Sequence, residues 1–360
     1  MIKRKTRQAR PAARLAQARS RPLKARTALT PARLLQLGLG FWGSRAFLSA
    51  VELGLFSVLA KGPLDEHQLR QKLDLHPRST RDFFDALVAL GLLQRKAGRY
   101  RNAPDADAFL DRAKPGYVGG ILEMAALRLY SFWGSLTEAL RTGAPQNEAK
   151  SGGDAFAEIY STPERLRSFL AAMTGVSMSS ARAIAGKFPW KAYKTFVDVG
   201  GAQGCVPVQL ALAHKHLTGA AFDLPVVQPV YEEYVNSFGL GARLKFLRGD
   251  FFRDPMPQAD VLILGHILHD WNLEEKHLLL QKAYAALPKR GALIVYDAMI
   301  DDGRSRNVMG LLMSLNMLIE TRGGFDYTAA DCRGWMKTTG FRKTSVVPLT
   351  AVESMVIATK

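Results

Sequence analysis

The chain reads as an α/β protein in two parts: an all-α region of winged-helix plan, then a Rossmann-like domain on a mostly parallel seven-stranded sheet. Three observations predict it. From Thr195 onward, short apolar runs alternate with amphipathic stretches. A glycine-rich turn, Gly200-Gly201-Ala202-Gln203-Gly204, joins the first of those runs to a helix. Before Thr195 the periodicity is helical, with only a small hairpin signal around Ala97-Gly98.

The size and composition suit that plan. The chain has 360 residues, enough for about two domains. Apolar residues make up 48% and charged ones 22%, as in a soluble globular protein. Two cysteines, Cys205 and Cys332, are too few for a disulfide framework and lack zinc-type spacing, which points to a reducing, cytoplasmic setting. The net charge of +17 is concentrated at one end: residues 1–33 hold eleven Lys or Arg and no acid, and the first carboxylate is Glu52. The remainder has 38 basic and 32 acidic residues, a surplus of six, so nucleic acid is not expected as the main partner. Residues 1–33 read as a disordered basic tail. A transit peptide, or contact with RNA, DNA or an anionic membrane, stays open as an alternative.

Residues 34–110 read as the winged-helix domain. Leu34–Ala60 is helical in period, and Arg45, Glu52 and several glycines argue for a buried helix over a membrane span. Short helices over Asp65–Leu73 and Ser79–Leu90 follow, then two small strands, Leu92–Gln94 and Tyr100–Asn102. Arg78, Arg81, Asp82 and Asp85 make the second helix a poor phosphate binder, while its apolar positions exceed one face, so a protein–protein contact is expected there. Residues 111–185 read as a helical linker or substrate lid, with helices over Val118–Arg141 and Pro163–Phe188 around a polar loop, Gly143–Gly153.

Residues 186–360 form the α/β domain. Expected strands are Phe196–Val199, Ala220–Phe222, Leu244–Leu247, Val261–Leu264, Ala292–Tyr296, Lys343–Val347 and Ser354–Ala358, the last two an antiparallel pair because their link is short. Ligands of such sheets bind at the carboxyl ends of the strands. The run Asp198-Val199-Gly200-Gly201-Ala202-Gln203-Gly204 fails the nicotinamide pattern G-x-G-x-x-G and fits the acidic-x-G-x-x-x-G pattern of methyltransferases. Asp223 ends the second strand, where a carboxylate accepts both ribose hydroxyls, with a helix cap before Pro225 as the plainer reading. Asp250 and Phe251 close the third strand where an adenine would lie. The fourth leads into Gly265-His266-Ile267-Leu268-His269-Asp270-Trp271, whose two histidines, with no further ligand nearby, make a poor metal site.

In this order and spacing, DVGGAQG, AFDLP, GDFF, LHDW and GGFDYT (Gly323–Thr328) resemble the plant caffeate and bacterial small-molecule O-methyltransferases, of acetylserotonin- and hydroxyneurosporene-methyltransferase type. The resemblance runs from about residue 34 to the end. It implies S-adenosyl-L-methionine as cofactor and, together with the apolar excess of residues 34–140, a homodimer formed through the N-terminal helical domain; neither a metal nor a membrane is expected as partner. The stretch LNMLIETRGGFDYT is similar to bacterial members that methylate aromatic polyketide or other secondary-metabolite phenols.

By that resemblance the cofactor is held by Asp198, Gly200, Gly201 and Gly204, by Asp223 and Leu224, by Asp250 and Phe251, and by Gly265 and Trp271. His269 matches the general base, flanked by Asp297 and Asp326, where the family commonly has a longer Glu. Phe169, Met173, Asp270 and Met317 match positions around the acceptor ring. Two departures stand out: Gly265 occupies the place of the family's lysine, and Ala202 that of a usual glycine. His269 would take a phenolic proton as the methyl moves to oxygen, with Asp297 or Asp326 orienting it. Two other readings stay open: an N-methyltransferase of a small heteroaromatic, and a winged-helix DNA-associated regulator.

Overall fold

The computed structural model describes residues 29–114, 116–153 and 155–360, so most of the basic tail lies outside the described residues. Two compact units divide between Trp42 and Gly43. In the first, a helix over Ala32–Gly38 leaves Leu34, Leu35 and Leu37 exposed, as are Leu39, Phe41 and Trp42 beyond it. The single buried helix expected over Leu34–Ala60 is therefore corrected. It is three helices, Ala32–Gly38, Gly40–Glu52 and Leu55–Leu59, and its first third is exposed in this chain. Glycines on either side of Leu39 weaken the helix there, and Gly54 takes a left-handed conformation (φ +68°) that ends the second. Among the described residues no helix is long and apolar enough to cross a membrane.

In the second unit the winged-helix plan appears with one strand more than expected. Strand β1 (Leu64–Asp65) precedes a helix over Glu66–Lys72, which Asp65 and Gln68 cap reciprocally. A helix over Thr80–Ala89 leads to β2 (Leu93–Lys96) and β3 (Arg99–Asn102), joined at Ala97-Gly98, both with positive φ as a tight hairpin demands. The order is β1-β3-β2, all antiparallel, so the domain is not all-α. Leu55, Phe56, Leu69, Phe84, Leu87 and Tyr100 fill its core. Phe84 is fully buried with its ring 5.4 Å from that of Tyr100. Phe84→Ala is expected to cost about 3–5 kcal/mol, read as a lower denaturant midpoint for this part of the chain. A change below about 1 kcal/mol would mean the core closes over the gap.

The expected Val118–Arg141 helix is also interrupted. It runs as Gly119–Met124, a wider π-helical turn over Ala125–Leu129, and Tyr130–Trp133, then restarts at Leu136–Thr142 after Gly134-Ser135. The polar loop holds a short turn at Glu148–Ser151, followed by a helix at Ala155–Ile159. The long helix Pro163–Lys187 starts as expected, its Thr162 hydroxyl capping the first turn.

All seven expected strands of the α/β domain are present: β4 (Thr195–Val199), β5 (Thr218–Asp223), β6 (Leu244–Arg248), β7 (Val261–Gly265), β8 (Ala292–Asp297), β9 (Lys343–Pro348) and β10 (Ser354–Thr359). Their order is β6-β5-β4-β7-β8-β10-β9, with only β10 antiparallel to its neighbours. The sheet is covered on both faces by buried apolar clusters, which is why β8 is buried throughout and runs Ala-Leu-Ile-Val before Tyr296 and Asp297. The chain winds outward from β4 to β6 and then returns to β7 on β4's other side. That reversal opens a crevice at the carboxyl ends of β4 and β7. The register Ser354↔Asp297 sets Glu353, on the turn before β10, beside the end of β8.

Candidate active site

The glycine turn after β4 is shaped for close approach. Gly200 has φ +69°, and a Cβ there would sit 2.3 Å from Ile267 Cδ1; one on Gly201 would sit 2.8 Å from Ala221 Cβ. Ala202, in the family's glycine place, keeps the left-handed conformation (φ +48°) despite its methyl group. Asp198 is buried beneath this turn, and burial pushes its carboxyl well above the usual range, helped by the charge of Asp223. Asp223 accepts the Ala202 and Leu224 amides at 2.9 and 2.7 Å. Burial raises its pKa to about 6 against the pull of those two amides. The helix-cap reading does not hold, because the turn at Pro225–Val227 has no side-chain cap; the two amides that Asp223 accepts take one lone pair of each oxygen and leave others free.

Asp250 accepts the Phe252 amide, and the Phe251 ring lies 5.9 Å from Trp271. Trp271 also stacks on Phe156 at 6.1 Å, and its buried indole N–H has no partner among the described residues. Tyr160 and Phe169 pack 6.0 Å apart over the same region, beside Ala202 and Val227. Burial holds the Tyr160 phenol well up, reinforced by the charges of Asp223 and Asp270. The helix at Ala155–Ile159 and Tyr160 just after it thus supply a cap of aromatics from a stretch beyond the polar loop, to which the sequence reading gives no element. Gly265 has no room for the family's lysine, since a Cβ there would meet the Tyr296 ring at 2.1 Å. Only its backbone faces the crevice.

His269 stands on a single turn, Leu268–Asp270, after β7 and is buried. Its Nδ1 lies 3.3 Å from Asp326 Oδ1 and 3.8 Å from Asp297 Oδ1; its Nε2 is 3.6 Å from Asp270 Oδ1. Asp326 is thus the carboxylate bonded to the imidazole. Asp297 instead accepts the Tyr327 hydroxyl through Oδ2 and leaves Oδ1 without a hydrogen-bond partner among the described residues. Burial works to lower the His269 pKa, but Asp297, Asp270 and Asp326 outweigh it and raise it to about 10. Burial pushes Asp297 and Asp270 up to about 6, against the pull of His269.

His266 faces the same centre from a left-handed backbone (φ +54°), with Nε2 3.3 Å from Glu353 and Nδ1 3.7 Å from Asp297. Glu353 accepts the Ser180 hydroxyl from the long helix. The two histidines do have a third donor nearby: ligand-type atoms of His266, His269 and Asp297 lie within 4.8 Å of one another. The fold supplies it by carrying β8 alongside β7, which the spacing of the two histidines does not foretell. Met317 is buried, Met173 half-buried, and both lie on helices flanking the crevice.

Sequence reasoning missed Phe156, Tyr160, Ser180, Lys276, Tyr327 and Glu353. Tyr327 lies inside the quoted GGFDYT run, so a signal existed for it. Lys276 and Glu353 sit in stretches that read as solvated helix and turn.

Comparison with known proteins agrees with this geometry. Residues 35–112 match the family model of the O-methyltransferase dimerisation domain, and residues 133–342 that of the O-methyltransferase domain. The chain is 44% identical to the tetracenomycin polyketide synthesis 8-O-methyl transferase of Streptomyces glaucescens, over 92% of this chain and 97% of that one. It is 38% identical to an N,N-dimethyltransferase of Streptomyces rimosus, over 86% and 90%. Human N-acetylserotonin methyltransferase, solved in complex with S-adenosylmethionine, superposes with a TM-score of 0.85 at 28% identity, over 93% of this chain and 99% of that one.

Proposed function

Since the chain belongs to the S-adenosylmethionine-dependent O-methyltransferase family with an N-terminal dimerisation domain, we propose that it methylates a phenolic hydroxyl of a polycyclic aromatic acceptor, with His269 as general base. The observation that carries this reading is the imidazole's commitment: with Nδ1–H given to Asp326, Nε2 is the nitrogen left to take a proton. Asp297, held by Tyr327, adds a second negative charge that stabilises the imidazolium. Asp270, beside Nε2, is placed to meet the acceptor hydroxyl.

The residues present fit the cofactor. Two buried carboxylates, Asp198 and Asp223, suit an ammonium and a ribose, and the unpartnered Trp271 indole opens a polar contact near the adenine end. Gly200, Gly201 and Gly204 admit the backbone approach, while Leu224, Asp250, Phe251 and the Gly265 backbone line the rest. When bound, S-adenosylmethionine supplies a methyl carbon already activated by its sulfonium. The protein therefore has to position the acceptor, exclude water and remove one proton. Phe169, Met173 and Met317 form the apolar walls of this reading, with Phe156 and Tyr160 closing over them. This reading uses no metal: Nε2 of His269 is the nitrogen that meets the acceptor's proton.

The exposed Leu34, Leu35, Leu37, Phe41 and Trp42 support a homodimer made through the N-terminal domain. Domain limits of 34–110, 111–185 and 186–360 fit this division of labour, and two free buried cysteines fit a cytoplasmic setting. The relative that is an N,N-dimethyltransferase keeps an amine acceptor in view. Matched pairs of polycyclic phenol and aryl amine, assayed with S-adenosylmethionine, separate the two, and turnover confined to the amines would overturn the phenol reading.

The acid limb supplies a second check. With the free-enzyme His269 holding its proton to about pH 10, the neutral base grows tenfold per pH unit below that value. At limiting cofactor, kcat/KM is expected to climb from pH 7 to 9 with a slope near one. A flat profile over that range would remove His269 from the proton transfer.

A further inference from the structure

A lysine placed after two glutamates near a helix start belongs in solvent, yet Lys276 is fully buried. No other lysine or arginine of the described residues is buried to that degree. Its Nζ donates to the Trp271 carbonyl, two residues after His269. It lies 3.6 Å from the centre of the Phe325 ring and 5.7 Å from that of Tyr327, the residues on either side of Asp326. The Tyr327 hydroxyl in turn donates to Asp297. One buried cation thus touches the turn that carries His269 and the segment that carries Asp326, and reaches Asp297 through a single ring.

We propose that Lys276 is a positioning residue for His269, holding the Trp271 carbonyl and the Phe325–Tyr327 segment in place while balancing the surrounding carboxylates. The proposal rests on the general-base reading only for its effect on turnover. The charged groups facing this centre are Asp270 and His266 from the turn after β7, Asp297 from β8, Asp326, and Glu353 from the turn before β10. Glu275 adjoins Lys276 on its own helix. Four carboxylates face this centre, three of them around the one imidazole, so a second cation offsets part of the excess negative charge. Removing that cation leaves the imidazolium more favoured and the base less available at neutral pH. Burial lowers the Lys276 pKa to about 8, against the pull of Asp297, Asp326 and Asp270, the same three carboxylates that raise His269, so the two cations share their counter-charges.

The test uses the full chain labelled with ¹⁵N-histidine and titrated without ligand from pH 6 to 10, His269 being assigned by its loss in His269→Ala. The wild-type His269 signal is expected to move in two steps, the lower near pH 8 from Lys276, and the lower step should vanish in Lys276→Met. At pH 7.5 the same variant should lose about tenfold in kcat with KM for the cofactor within about twofold, while Lys276→Arg, which keeps the charge, regains most of it. A lower step that survives in Lys276→Met overturns the proposal, as do equal losses in the Met and Arg variants. Should Lys276→Met not fold, Lys276→Gln removes the charge while keeping a donor for the Trp271 carbonyl, and a lower step that survives there overturns the proposal too. If the step behaves as expected while His269→Ala still turns over, the general-base reading fails and the coupling stands.

Discussion

Replacing His269 by alanine is expected to cut methyl transfer by about 10²–10⁴-fold while leaving S-adenosylhomocysteine affinity within about threefold. The separation follows from geometry. The ring contacts Asp326, Asp297 and Asp270, and none of these is among the groups read as holding the cofactor. The truncation deletes the proton acceptor for a phenol whose unperturbed pKa is about 10, so at neutral pH the nucleophile stays mostly protonated. It also leaves Asp297 and Asp326 buried without their cation, which will cost some stability. A thermal melt accompanies the assay for that reason. Comparable losses in turnover and in S-adenosylhomocysteine binding would mean the ring supports the crevice and does not act in the chemistry.

Asp223→Ala is expected to weaken S-adenosylhomocysteine binding by about 10²–10⁴-fold, measured by calorimetric titration. Two charge-assisted hydrogen bonds to a ribose diol are worth about 1.5–3 kcal/mol each, and roughly 1.4 kcal/mol corresponds to tenfold in affinity. The same carboxylate fixes Ala202 and Leu224 through their amides, so its loss also frees the strained turn after β4. Asp223→Asn distinguishes the two jobs. Its single carbonyl oxygen still accepts one bond, while its amino group opposes a backbone N–H, so it should fall between wild type and alanine. An alanine variant that binds within tenfold of wild type would place the ribose elsewhere.

The seven strands and the Asp198–Gly204 turn were legible because their signals are local. Alternation marks strands whatever the partner, and a glycine is required wherever backbone must turn left-handed or lie close to a neighbour. The helix breaks at Leu39, Gly54 and Gly134 were less so. A continuous apolar period masked single glycines whose cost depends on what each helix packs against.

By itself, then, the amino-acid order determined the mostly parallel sheet, the position of the crevice and the Asp198–Gly204 turn that opens on it, since each depends on signals local to a βα unit. Only the tertiary structure decided that Asp326 and not Asp297 bonds His269, that Tyr296 fills the space beside Gly265, and that Lys276 and Glu353 enter the centre. Those contacts join residues from different elements. They depend on sheet register, such as Ser354 opposite Asp297, and on which side chain reaches furthest across a shared wall. Spacing along the chain carries no record of either.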